Sequence, residues 1–119
     1  MGMKISTGLA NNMLDTASFS GSMTGMKLQI YSGTEPATAD ASLGSAVLLV
    51  TISDAGGAGA LQFEAAAVGN TIEKASAQSW SGVNAASGTA SFCRMVLASD
   101  TGAASTTEIR IQGDVGVAG

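Results

Sequence analysis

From Met26 onward the chain repeats one device: a short extended-type stretch, then a cluster of Gly, Ser, Asn and Asp, at intervals of roughly ten residues. Alternation with a period of two places successive side chains on opposite faces of a strand, whereas a helix needs a period near 3.6. Residues 26–31 alternate, with Met26, Leu28 and Ile30 on one face and Lys27, Gln29 and Tyr31 on the other. Residues 46–52 form a nearly continuous apolar run rich in β-branched side chains, which suits a central strand. Residues 61–67 and 71–75 flank Val68-Gly69-Asn70 as a hairpin, and residues 80–83 make a further short strand. The longest alternating stretch follows Gly88, with Ala90, Phe92, Arg94 and Val96 on one face and Ser91, Cys93, Met95 and Leu97 on the other. Residues 108–112 supply the last strand. The expected fold is all-β: a small antiparallel β-sandwich or barrel, jelly-roll-like, in one domain.

The two ends differ from this body. Thr7 is placed to cap a helix over residues 8–15, where Leu9 and Met13 lie four apart on one face beside Leu14. Residues 1–25 are therefore expected to be an N-terminal arm with a short helix, residues 26–113 the β-domain, and residues 114–119 a flexible tail. A chain of 119 residues fits one core. With 45% hydrophobic but only 4% aromatic residues and 16 glycines, that core is built from small pieces, and neighbouring chains are expected to cover apolar surface it leaves open.

Charge and chemistry narrow the function. Five basic against nine acidic residues give a net charge of −4, no footprint for nucleic acid or an anionic membrane. The chain contains no His, so the commonest general base and metal ligand is missing. Cys93 is the only cysteine and reads as a small buried hydrophobe, without a disulfide or thiolate metal site. Glu64 and Glu73 can face one another across the hairpin, the arrangement of a carboxylate pair, but they read first as solvated strand positions. The Gly-rich run from Ser53 to Gly59 lacks the Lys-Ser/Thr ending of a phosphate loop and reads as a turn. No catalytic residue, cofactor or metal is expected. No apolar run follows Lys4 at signal-peptide length and none reaches the roughly 20 residues of a membrane span, so the expectation is synthesis in the cytoplasm.

Two residues carry open alternatives. Trp80 either anchors the core or serves as a contact hot spot. Arg94, inside an apolar strand, must snorkel or find a partner, for which Glu64, Glu73 and Glu108 are the candidates.

The segments Lys4-Ile5-Ser6-Thr7-Gly8-Leu9, Asn11-Asn12-Met13-Leu14-Asp15, Ile30-Tyr31-Ser32-Gly33-Thr34, Phe63-Glu64-Ala65-Ala66-Ala67, Trp80-Ser81-Gly82 and Arg110-Ile111-Gln112-Gly113 together resemble a family of small virion proteins of tailed bacteriophages, over a span from Lys4 to Gly116. The resemblance implies a non-enzymatic virion component, with a capsid decoration (cement) protein as the preferred role. It implies self-association, with a trimer favoured, and the major capsid protein as partner on the capsid surface. The residues expected at such contacts are Leu9, Met13, Leu14, Phe19, Met23, Tyr31, Trp80, Val115 and Val117. Two other readings stand beside it: a tail, neck or baseplate component, and a host-recognition module that binds glycan through Trp80 and Tyr31.

Overall fold

Six strands form one antiparallel sheet in the order β1-β6-β5-β2-β3-β4 in the computed structural model, which describes residues 2–116. They are β1 (Met3–Ile5), β2 (Met26–Ser32), β3 (Val47–Asp54), β4 (Trp80–Asn84), β5 (Phe92–Leu97) and β6 (Arg110–Asp114), with two helices, α1 (Thr7–Asp15) and α2 (Phe19–Ser22). The all-β character is as the alternation implies. The sheet is open: β1 and β4 are its edges, and no barrel closes.

Hydrogen bonding, more than apolar content, decides which strands are central. The alternating strands β2 and β5 pair with each other over six positions, from Met26 opposite Leu97 to Tyr31 opposite Phe92. The apolar run expected to be central is β3, one strand in from the edge. Its register on β2 slips after Ile30 opposite Val50, so that Tyr31 meets Leu48 and Leu49 is the extra residue. This bulge lets an apolar residue off the alternating pattern turn inward, and Leu49 is buried. The hairpin forms as a turn with isolated bridges, Phe63 to Lys74 and Val68 to Thr71, and not as two full strands. Gly69 and Asn70 sit at φ 58° and 65°, the left-handed pair that a two-residue type I′ turn requires.

The N-terminal segment, expected to reach out as an arm, is folded onto this chain. β1 extends the sheet beside β6, and α1 and α2 lie across the adjoining face. Ser6, not Thr7, caps α1: its hydroxyl accepts the Leu9 N–H at 3.1 Å. Leu9 and Met23 are fully buried against Met26, with Phe19, Phe63 and Met95 around them. The physical reason is the thin core: without these side chains, the end of the sheet near Met26 has nothing to bury against. At the other terminus Asp114 belongs to β6 and the Val115 N–H donates to the Ser91 carbonyl, so the expected tail begins inside the sheet. Val117 lies outside the described residues.

The opposite face is covered by loops, the long connections 33–46 and 98–109. Three wholly buried polar side chains of the sheet, Arg94, Arg110 and Gln112, hold these loops down. Arg110 forms a two-pronged ion pair with Asp100 at 2.6 and 2.8 Å and also donates to the Ala39 and Ala103 carbonyls. Gln112 donates to the Pro36 carbonyl at 2.7 Å and accepts from Arg94 Nε at 2.8 Å. Tyr31 stacks on Phe92 beneath the same loops, with ring centroids 5.1 Å apart. A loop contributes unpaired carbonyls wherever it is buried, so long donors from the strands are what this layer needs.

Burial pushes the Asp100 carboxyl up, but hydrogen bonds from Arg110 and the Gly102 N–H outweigh it, so the group lies below its ordinary value. A depressed folded-state value stabilises the fold at pH above the unfolded value, about 4, and that contribution is lost as pH falls through the folded value. The urea midpoint is therefore expected to drop as pH falls below about 4, and more gently in Asp100→Asn, whose midpoint is already lower at pH 7. Equal slopes in the two proteins would show that Asp100 does not carry the acid sensitivity.

Candidate interaction surface

The helices cover only part of the face they lie on. Register aligns two apolar rows across it: Ile5, Ile111, Met95, Leu28 and Ile52 in one, Met3, Gly113, Cys93, Ile30 and Val50 in the other. No charged residue stands in either row. Where α1 and α2 stop, a groove of about 220 Å³ remains, with Met3, Leu28, Met95 and Ile111 along it and the rings of Phe19 and Phe63 beside them. Met3 is 77% exposed and Ile5 49%, so the groove runs out to the open edge at β1. Cys93 lies within it, and burial pushes its thiol above the usual value, which keeps it protonated and apolar in character.

Chemically such a groove offers dispersion and desolvation and nothing that polarises a substrate. Its natural occupant is another apolar surface, at about 25 cal/mol per Å² of area removed from water. Neither a family model nor a curated protein nor a solved structure matches this chain. The groove and its neighbours must therefore be read from their own geometry.

The residues expected at an interface divide by location. Phe19 lines the groove, and Met13 is half-buried behind it, packed on the core. Leu9 and Met23 are interior, consumed by the fold of this chain. Leu14 stands 85% exposed on α1. Val115 is half-buried. Trp80 is half-buried too: it meets Phe63 edge-on at 5.9 Å and donates its indole N–H to Gln78 Oε1 at 2.7 Å. Tyr31 is buried at 5% on the loop-covered face, where its hydroxyl donates to Gln29. Trp80 and Tyr31 thus point to opposite faces of the sheet and do not form one sugar-stacking platform.

Met3, Leu28, Met95 and Ile111 were not among the expected contacts. A signal existed for Leu28 and Met95, which fall on the apolar side of their alternating strands. For Met3 it was only the brief alternation Met3-Lys4-Ile5. Glu64, the other candidate for chemistry, accepts the Ser76 N–H, which holds its carboxyl below the ordinary value and fastens the hairpin.

Proposed function

We propose that the chain is a non-enzymatic structural component of a tailed-bacteriophage virion, a capsid decoration protein that lays its apolar groove on the major capsid protein. The observation that carries this reading is the uncharged groove reaching the open edge at β1, a surface suited to another protein and to little else. The virion family that the sequence resembles supplies the kind of partner. The open edges at β1 and β4 add backbone N–H and C=O groups with which a neighbouring strand can pair. In this reading copies associate as trimers.

Met3→Lys is the direct test, because Met3 is exposed and its replacement leaves the core intact. Purified shells lacking this protein should bind the wild type, and the variant at least roughly ten-fold more weakly, the loss of about 1.4 kcal/mol expected for a contact residue. The urea midpoints of the two proteins should agree closely. Equal binding of both would remove the groove from the interface, and binding of neither would overturn the decoration role.

A further inference from the structure

Four of the five basic side chains are engaged within the chain. Lys4 pairs with Glu35 at 2.9 Å, Arg110 with Asp100, and Lys74 donates to the Gln78 carbonyl at 2.6 Å. Arg94, expected to pair with Glu64, Glu73 or Glu108, donates instead to Gln112 and to the Ala41 and Thr38 carbonyls. The fifth, half-buried Lys27, has no hydrogen bond or ion pair among the described residues. The register that sets Leu28 opposite Ile52 and Gln29 opposite Thr51 carries Lys27 to Ser53. Lys27, Thr51 and Ser53 therefore share the face of the sheet away from the groove. Ser53 is only 8% exposed, yet its hydroxyl has no partner among the described residues, and neither has that of Thr51. Arg94 Nη1 is the one unbonded side-chain atom sealed from solvent among them, so the Ser53 hydroxyl is open to solvent.

A cleft of about 290 Å³ opens here, walled by Lys27, Thr51 and Ser53 together with Gly57, Ala60 and Ala98. The Gly-rich run 53–59 forms the turn read from its sequence and lends the cleft one side. The run lacks the lysine of a phosphate loop, and Lys27 supplies one from the neighbouring strand. No carboxylate stands in these walls. Asp54, next to Ser53, points to the opposite face by alternation, and its carboxylate accepts the Ser79 N–H at 2.9 Å. We propose that this cleft is a binding site for a phosphate group, with Lys27 as the cation and Thr51 and Ser53 as hydroxyl donors. A tetrahedral oxyanion takes donors from several directions, and lysine serves it as a point charge, whereas a carboxylate favours the planar fork of arginine. A largely buried hydroxyl without a partner is costly, and a bound oxyanion supplies the missing acceptor. Ala60 and Ala98 suit the carbon substituent of a monoester. The inference does not rest on the virion reading, because the cleft lies on the face opposite the groove.

The test uses the full chain labelled with 15N, titrated with sodium phosphate at about pH 8, where the ion is mostly a dianion, and at constant ionic strength. Saturating shifts at the Lys27, Ser53 and Ala60 amides are expected. Lys27→Gln and Ser53→Ala should each weaken phosphate binding at least roughly ten-fold, the worth of a hydrogen bond to a charged group. The urea midpoint of Ser53→Ala without phosphate should match that of the wild type, because the hydroxyl bonds to nothing in the chain. Phenyl phosphate separates the two sources: tighter binding than inorganic phosphate assigns an organic monoester, and equal or weaker binding assigns the free ion. Linear or absent shifts, an unchanged affinity in either variant, or a response to acetate equal to that for phosphate would each overturn the assignment.

Discussion

Arg110→Met is expected to cost about 3–5 kcal/mol of folding stability, enough to leave a domain of this size marginal or unfolded. The methionine preserves most of the apolar stem, so lost packing explains little of the effect. What is lost is the partner of Asp100, an anion on a side chain only 1% exposed, together with the donors to the Ala39 and Ala103 carbonyls. An uncompensated buried carboxylate must either take up a proton or open the loop to water. The double variant Asp100→Asn/Arg110→Met should therefore cost less than the sum of its two single changes, by a kcal/mol or more. Strict additivity in urea unfolding would mean that the pair contributes no coupling, and that the loops are held by the sheet-to-carbonyl bonds alone.

Ser6→Ala is expected to cost about 3 kcal/mol, although it removes one oxygen atom. Ser6 is 1% exposed, and its hydroxyl makes three bonds. It donates to the Glu108 carbonyl at 2.7 Å, and accepts the Arg110 N–H at 2.9 Å and the Leu9 N–H at 3.1 Å. It thus caps α1 and carries the β1–β6 pairing past the end of β1. A lost cap alone costs about 1 kcal/mol, and each buried group left unsatisfied a further 1–3. The space is tight as well: a Cβ on Gly8 would fall on the Thr107 and Glu108 carbonyls, so the helix cannot shift to recover the bonds. A loss below about 1 kcal/mol would show that water replaces the hydroxyl and that the helix start is less enclosed than described.

These two residues mark where sequence and structure part. The strands were legible because alternation is a local signal: the face assignment of β5, with Phe92, Arg94 and Val96 against Cys93, Met95 and Leu97, follows from period two alone. Strand order was not legible, since it depends on which distant strands pair, and apolar β3 lies one strand from the edge while alternating β2 and β5 pair at the centre. Nor was the role of residues 1–25, because a three-residue strand such as Met3–Ile5 shows almost no period and pairs with residues more than a hundred positions away. Ser6 and Thr7 are equally good caps by composition, and only the position of β6 selects between them. The buried arginines follow the same pattern. That Arg94 needed a partner was readable from its place in an apolar strand, but its partners are loop carbonyls, and a carbonyl carries no signature in sequence. The groove was partly legible as an apolar excess, and its position depended on where the helices end.

The decoration role proposed for this chain requires many copies spread over a capsid shell. Its most direct test is the number of copies in purified particles, measured by quantitative mass spectrometry against the major capsid protein. A ratio near one is the result this account predicts for a decoration protein. A ratio of a few per hundred would contradict it and assign the chain to a neck or tail.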